Sequence, residues 1–236
     1  NLWGDHGIFT TMWIFGKPGK ILFFKDHLNN LIKSLEVYKI TKKSLRADIL
    51  SIINKNLSKK KRYNHLIRIA LNKKIISISL RKRIKPKLNF NLKLVKLKRE
   101  KPEYKNLKYK KILSYLSKID NSQSDIGLVF NKRLLETGTS NLLFVKDQKF
   151  FTPKKGYYEG NTYKFFKNKI KKIIKKDILL KEINDYDEIL LLGSGKGVAS
   201  VRTINEIKWR RKNLEKFRLL SKHYNTVINK CNSYKF

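Results

Sequence analysis

The sequence predicts an α/β protein in two parts, and three observations carry that reading. Short apolar or alternating stretches of strand length are interspersed with longer stretches whose apolar residues recur at three and four positions. The chain has 236 residues, enough for one large domain or two small ones with a real core. A linker, KPKLNFNLK at 85–93, falls between two such sets and leads into a new strand. Residues 1–86 therefore read as a small α/β domain and residues 87–236 as a larger one.

In the first part, IFTTMWIFG (8–16) and KILFF (20–24) are two strands around a Pro-Gly turn. DHLNNLIKSLEVYKI (26–40) is a helix. Asp26 can cap it, and Leu28, Leu31, Ile32 and Leu35 form its apolar stripe. KKSLRADILSIINKNL (42–57) is a second amphipathic helix, and HLIRIALNK (65–73) and IISISLRKRI (75–84) are strands joined by a short turn. The order β-β-α-α-β-β can make a small sheet covered by helices on one side.

The second part opens with a strand, LKLVKLK (92–98), and a helix over 104–119. SDIGLVFN (124–131), RLLETGTSNLLFVKD (133–147) and KFFTP (149–153) form a meander. GNTYKFFKNKIKKIIKK (160–176) reads as one long helix and DILLKEI (177–183) as a short strand. DEILLLGSGKGVASVRTI (187–204) is a buried strand, a glycine-rich turn and more extended chain. Residues 212–224 read as helix, and no internal repeat is visible.

Lysine and arginine number 56 against 18 aspartates and glutamates, a formal net charge of +38. Such a surface attracts polyanions and releases their counterions. Lysine is nevertheless spread along the whole chain. Its abundance goes with that of Ile, Asn, Phe and Tyr and with only three alanines (Ala47, Ala70, Ala199). That is the pattern of A/T-rich codons, although codon bias leaves the shortage of acids unexplained. No zinc-finger spacing or RNP-type aromatic strand is present. A nucleic-acid partner is thus allowed but not favoured. No apolar run approaches the ~20 residues of a membrane span, and no secretory segment opens the chain. The one cysteine, Cys231, can form no internal disulfide; a reducing cytoplasm is expected.

Few stretches can carry chemistry. Gly193-Ser194-Gly195 follows an apolar run, and Gly160-Asn161-Thr162 precedes a helix. Backbone N–H groups in a glycine turn or at a helix start attract anions, phosphate above all; each stretch taken alone is also an ordinary turn or N-cap. GSGKG lacks the spacing of a P-loop, which excludes a nucleoside triphosphatase of that kind. Glu136 is a scarce acid at the edge of a strand, able either to pair with a surface lysine or to serve a buried positive group. His6, His27, His65 and His223 show no metal-ligand spacing, His27 reads as a packing residue, and no Ser-His-Asp or Cys-His set is legible.

The order of these pieces resembles the class IV family of pyridoxal-phosphate enzymes, which includes branched-chain aminotransferases, D-amino acid transaminases and 4-amino-4-deoxychorismate lyases. ETGTSNLLFV running into a hairpin is similar to the family's acid-bearing segment, and DEILLLGSGKGVASVRTI to its second phosphate loop. YYEGNTYKFF resembles its Gly-Ile-Thr-Arg loop, KNLKY (105–109) its lysine segment, and GIFTTMWIFGKPGKILFFKDHLNNLIKSL its opening strands and His-x-x-Arg helix. The resemblance spans about residues 4–207. It implies a two-domain fold of type IV, pyridoxal 5'-phosphate held in the cleft between the domains, a small amino-acid-like substrate and a homodimer.

By the same resemblance Glu136 faces the pyridine nitrogen and keeps it protonated, so that the ring withdraws electrons from the substrate carbon. Lys105 is the lysine bonded to the cofactor and the base that moves the proton, with Lys108 as its rival. Tyr109 reaches the ring oxygen, and Gly160, Asn161, Thr162, Gly193, Ser194 and Gly195 bind the phosphate. Three departures stand out. The phosphate-binding arginine is replaced by Asn30, the Asn of the lysine segment by Lys108, and the Arg of the first loop by Tyr163. Asparagine cannot replace a bidentate cation, so a degenerate, cofactor-poor polyanion-binding paralogue is a live alternative. Phe9-Thr10-Thr11 and the compact length resemble the lyases, which make 4-aminobenzoate and pyruvate in folate synthesis. A branched-chain or D-amino acid transaminase is the alternative within the family.

Overall fold

The computed structural model describes residues 2–234. These form two compact units. Of the described residues, the first comprises 2–83, 104–110 and 227–234, and the second comprises 84–103 and 111–226.

The first unit is built on β1 (Gly7–Gly16), β2 (Lys20–Ile21), β3 (Tyr63–Asn72) and β4 (Ile76–Lys82), ordered β2-β1-β3-β4 and antiparallel throughout. Alternation decides which face each side chain takes. Ile8, Met12 and Ile14 of β1 join Ile67, Ile69 and Leu71 of β3 on the inner face. Onto them pack Leu28, Leu31 and Leu35 of α1 (Phe24–Val37) and Leu45, Ile49 and Ile53 of α2 (Leu45–Asn56). Each fully buried side chain of this size stabilises the unit by about 1.5–3 kcal/mol relative to exposure. The helices thus cover one side of the small sheet, as the β-β-α-α-β-β order requires. Asp26 lies within the first turn of α1 and does not cap it; the cap position is Phe23, in left-handed conformation.

The second unit carries a nine-stranded mixed sheet. Its strands are β5 (Phe90–Lys96), β6 (Ser124–Phe130), β7 (Arg133–Thr137), β8 (Asn141–Lys146), β9 (Lys149–Pro153), β10 (Ile173–Lys176), β11 (Glu188–Gly193), β12 (Gly197–Ile204) and β13 (Trp209–Arg210). The order is β10-β9-β8-β11-β12-β5-β6-β7, with β13 beside β12. α3 (Lys110–Leu116), α4 (Asn161–Lys169) and α5 (Glu215–Asn229) complete the helices. Phe90, Leu134, Leu142, Phe144, Ile189, Leu191, Val201 and Trp209 form the main core of this unit.

Three expectations are corrected. The helix expected over 160–176 stops at Lys169, and Ile173–Lys176 instead pair in parallel with β9. Two adjacent β-branched residues and an open sheet edge outweigh the lysine-rich helical pattern there. Residues 180–185 turn as a 3-10 helix rather than extending; only the chain at 178–180 is bonded strand-fashion, through Leu134 N to Ile178 O and Leu180 N to Lys132 O. The helix expected over 104–119 is confined to Lys110–Leu116. The chain before it runs extended beside β1, with Phe9 N donating to Lys105 O and Leu107 N to Gly7 O.

Candidate cofactor site

Glu136 stands near the end of β7. The pairing of β6 with β7 shifts register beyond Leu128↔Glu136, so that Val129 faces Leu134 and Leu135 is the extra residue of a β-bulge. Bulges re-aim the neighbouring side chains, and this one directly precedes the acid. Glu136 is only 5% exposed. Its Oε1 accepts from Arg99 Nε at 2.6 Å, and its Oε2 accepts from Arg99 Nη2 at 3.1 Å and from Tyr158 N at 3.3 Å. Arg99 is itself buried and donates also to the Pro102 carbonyl at 2.6 Å. The partner of this acid is therefore a buried arginine rather than a surface lysine. A two-point fork fixes both the charge and the plane of the carboxylate.

The turn after Glu136 is wound tightly on hydroxyls. Ser140 N and Thr139 N both donate to Thr137 Oγ1, at 2.8 and 3.2 Å. Asn141 then opens β8 and pins the approach to α4. Its Nδ2 donates to Tyr158 O and its Oδ1 accepts from Gly160 N at 3.0 Å. Burial pushes the Tyr158 phenol up to about 12, with Arg99 pulling it back.

Gly160, Asn161 and Thr162 begin α4. The N-cap is Gly160, which brings no side-chain acceptor to the first turn. Thr162 is 1% exposed, and its Oγ1 is buried without a hydrogen-bond partner. A buried hydroxyl in that state costs free energy until an acceptor arrives.

Gly193, Ser194 and Gly195 lie at the turn between β11 and β12. Gly193 pairs with Gly197, which closes a three-residue hairpin loop with Gly197 in the left-handed region at φ +69°. A Cβ at Gly193 would lie 2.8 Å from Ser140 Oγ and 3.0 Å from Thr139 O. The glycine thus lets this turn close onto the turn that follows Glu136. The second unit therefore brings together Glu136, the start of α4 and the glycine turn.

Lys105 and Tyr109 belong to the first unit. Lys105 is half-buried, with its amine 5.2 Å from the centre of the Phe9 ring. Tyr109 packs on Phe9 and Trp3 at 5.3 and 5.9 Å. The rival Lys108 is exposed, and its Nζ donates to Gly4 O at 2.8 Å. His27 is a packing residue as expected, buried with its Nδ1 2.8 Å from Thr10 Oγ1. Asn30 lies on the same helix.

Three residues of the second unit escaped the sequence reading: Arg99, Asp125 and Lys196. Arg99 reads as one more cation of the run KLKRE. Asp125 is wholly buried, accepts from Thr137 Oγ1 and Thr139 Oγ1, and pairs with Lys196. The available signal was chemical: an acid inside an apolar strand of an acid-poor chain needs a cation.

The arrangement is that of a buried, charge-fixed carboxylate with two backbone turns suited to an anion, and its folding pattern is that of fold-type IV pyridoxal-phosphate enzymes. The family model described as amino-transferase class IV matches residues 7–204. The chain belongs to that family. Among solved structures, it resembles a branched-chain aminotransferase from the archaeon Thermoproteus uzoniensis, with 15% identity, 95% of this chain and 86% of that chain covered, and a TM-score of 0.76. It also resembles a branched-chain amino acid aminotransferase from Thermobaculum terrenum in its pyridoxal-phosphate form, with 13% identity, 97% and 88% covered, and a TM-score of 0.77. A putative 4-amino-4-deoxychorismate lyase from Legionella pneumophila gives 17% identity, 94% and 91% covered, and a TM-score of 0.73. No curated protein matches the chain. Among the described residues no helix is long and apolar enough to cross a membrane.

Proposed function

We propose that this chain is a pyridoxal-phosphate-dependent lyase that converts 4-amino-4-deoxychorismate to 4-aminobenzoate and pyruvate. The observation that carries the cofactor part is the buried Glu136, held by Arg99 on both oxygens. A carboxylate so fixed suits a protonated ring nitrogen. The unsatisfied Thr162 Oγ1 and the glycine turn at 193–195 suit a phosphate. The residues present therefore fit the cofactor.

When bound, pyridoxal phosphate withdraws electrons from the substrate carbon that carries the amino group. Glu136 would hold the proton at the ring nitrogen. The backbone amides of Gly160, Asn161, Thr162, Gly193, Ser194 and Gly195, with the hydroxyls of Thr162 and Ser194, would hold the phosphate, and the Tyr109 phenol would donate to the ring oxygen. The Lys105 amine takes the proton from the amino-bearing ring carbon. The bond between ring and enolpyruvyl oxygen then breaks, the ring becomes aromatic, and the released enolate gains a proton to become pyruvate. Lys105 is preferred over Lys108 because the amine of Lys108 is exposed and tied to the Gly4 carbonyl. The lyase reading rests on the likeness of Phe9-Thr10-Thr11 and of the compact length to that branch of the family. A homodimer in the cytoplasm belongs to the same reading.

The test is purified protein titrated with pyridoxal phosphate. The expected result is a visible absorption band that Lys105→Ala abolishes and Lys108→Ala retains. Release of 4-aminobenzoate with no amino acceptor supports the lyase, and a strict need for a 2-oxo acid selects a transaminase instead. Protein that stays colourless overturns both.

A further inference from the structure

The glycine turn carries a lysine that the reaction above does not use. Lys196 stands at its third loop position, yet its side chain is 8% exposed rather than solvated. Its Nζ lies 3.3 Å from Asp125 Oδ2, donates to Thr139 Oγ1 at 2.8 Å and sits 5.3 Å from the centre of the Phe90 ring. Asp125 is fully buried. Its Oδ2 also accepts from Thr137 Oγ1 at 2.8 Å and Thr139 Oγ1 at 2.6 Å, while its Oδ1 accepts from Ile126 N at 2.8 Å. Desolvating two such charges is costly, and losing one partner strands the other. A pair of this kind persists where it fixes a geometry.

The geometry here joins two turns. Thr137 and Thr139 belong to the turn that follows Glu136. Lys196 belongs to the turn at 193–197, and Gly193 lies against Ser140 and Thr139. We propose that Lys196 and Asp125 are positioning residues that lock the 193–197 turn onto the 137–140 turn, so that its backbone amides are preset for the cofactor phosphate. The phosphate part rests on the function proposed above. Lys196 does not take the place of the arginine missing at Asn30, because Asp125 already neutralises its charge in the protein interior.

The experiment compares wild type with Lys196→Met, Asp125→Asn and the double variant. It reads pyridoxal phosphate affinity from the visible band, with unphosphorylated pyridoxal as the control. Each single variant should weaken pyridoxal phosphate about tenfold, the scale of losing a supporting partner behind a ligand-binding group. The double variant should be no weaker than the poorer single one, and pyridoxal should bind all four proteins alike. Tighter pyridoxal phosphate in Asp125→Asn with weaker binding in Lys196→Met would make Lys196 a direct phosphate ligand and overturn the proposal. An equal loss for pyridoxal would overturn it too. Amide hydrogen exchange of residues 194–197 in the cofactor-free proteins decides the turn-locking claim even if wild type binds no cofactor. Faster exchange in both single variants supports it, and unchanged exchange sinks it. Should Asp125→Asn fail to fold, the double variant removes both charges together and supplies the same readouts.

Discussion

Arg99 is within 2.6 Å of Glu136 although 37 residues separate them in sequence. An arginine is suited to that place because its fork meets both carboxylate oxygens and still reaches the Pro102 carbonyl. A lysine has one ammonium and no plane to match. Removing the guanidinium leaves a buried, uncompensated carboxylate, and breaking such a pair typically costs about 3–5 kcal/mol. Arg99→Met should therefore lower the unfolding free energy of the cofactor-free protein, read from its urea transition, by about that amount, and Arg99→Met/Glu136→Gln should recover part of it. An Arg99→Met midpoint equal to that of wild type would show that the pair contributes nothing to the fold. Arg99→Lys should fall between wild type and Arg99→Met.

At the scale of elements, α5 is fastened by a strand. Glu188 at the start of β11 is fully buried, and its two oxygens accept from Lys216 N at 2.7 Å and Phe217 N at 2.9 Å in the first turn of the helix. A carboxylate at a helix start satisfies orphan donors and complements the positive end of the dipole. Burial nevertheless raises the Glu188 carboxyl above its ordinary value of 4.5, against the opposing pull of the two N–H groups. The folded chain thus binds this proton more readily than the unfolded one. That contribution to stability is complete below about pH 4.5 and is lost as pH rises through the raised folded value. Glu188→Gln removes this titration. The stability of wild type relative to Glu188→Gln should decline as pH is raised from 4 to 7, measured by urea midpoints; a relative stability that climbs over that window would reverse the sign.

Elements also mark how far the sequence could be read. The two helices of the first unit follow from period, because each buries one stripe, whereas β1 and β3 read as apolar runs because they bury residues on both faces. The strand expected over 20–24 ends at Ile21, where the chain turns into α1. The acid of β7 was conspicuous because acids are scarce. The end of α4 was not legible, since residues 170–176 leave the helical pattern only on meeting β9. The extended path of 105–107 depends in the same way on the free edge of β1. Arg99 and Lys196 were hidden for a further reason: in a chain so rich in cations, a buried lysine or arginine carries no local mark, whereas Asp125 was marked by its place in an apolar strand.

For the whole molecule the charge of +38 governs the electrostatics. Pairing cannot remove it, because even if every acid met a cation, 56 minus 18 leaves 38 positive charges. The exposed pairs, such as Lys146–Asp185 at 3.1 Å and Lys212–Asp187 at 3.1 Å, are each worth only about 0–1 kcal/mol. Repulsion reaches into the first unit, where burial first and Arg81 second hold Arg68 down at about 10. Like charges crowded into a compact volume destabilise it relative to the expanded chain. The Debye length shrinks from about 30 Å at 0.01 M salt to about 10 Å at 0.1 M. Charges across the surface interact at the first ionic strength and largely do not at the second. The melting temperature of the cofactor-free protein should therefore rise by several degrees between 10 and 300 mM sodium chloride, because one kcal/mol moves the midpoint of a chain this long by about 2–4 °C. Chloride is the proper salt, since phosphate and sulfate also stabilise folded chains by exclusion from the protein surface. Replacing exposed lysines that touch no acid, such as Lys73 and Lys118, with glutamine should raise the low-salt melting temperature and leave the high-salt value almost unchanged. A melting temperature that is flat or falls across the salt range would mean that the excess charge is too widely spaced to act, and that self-repulsion does not limit the stability of this fold.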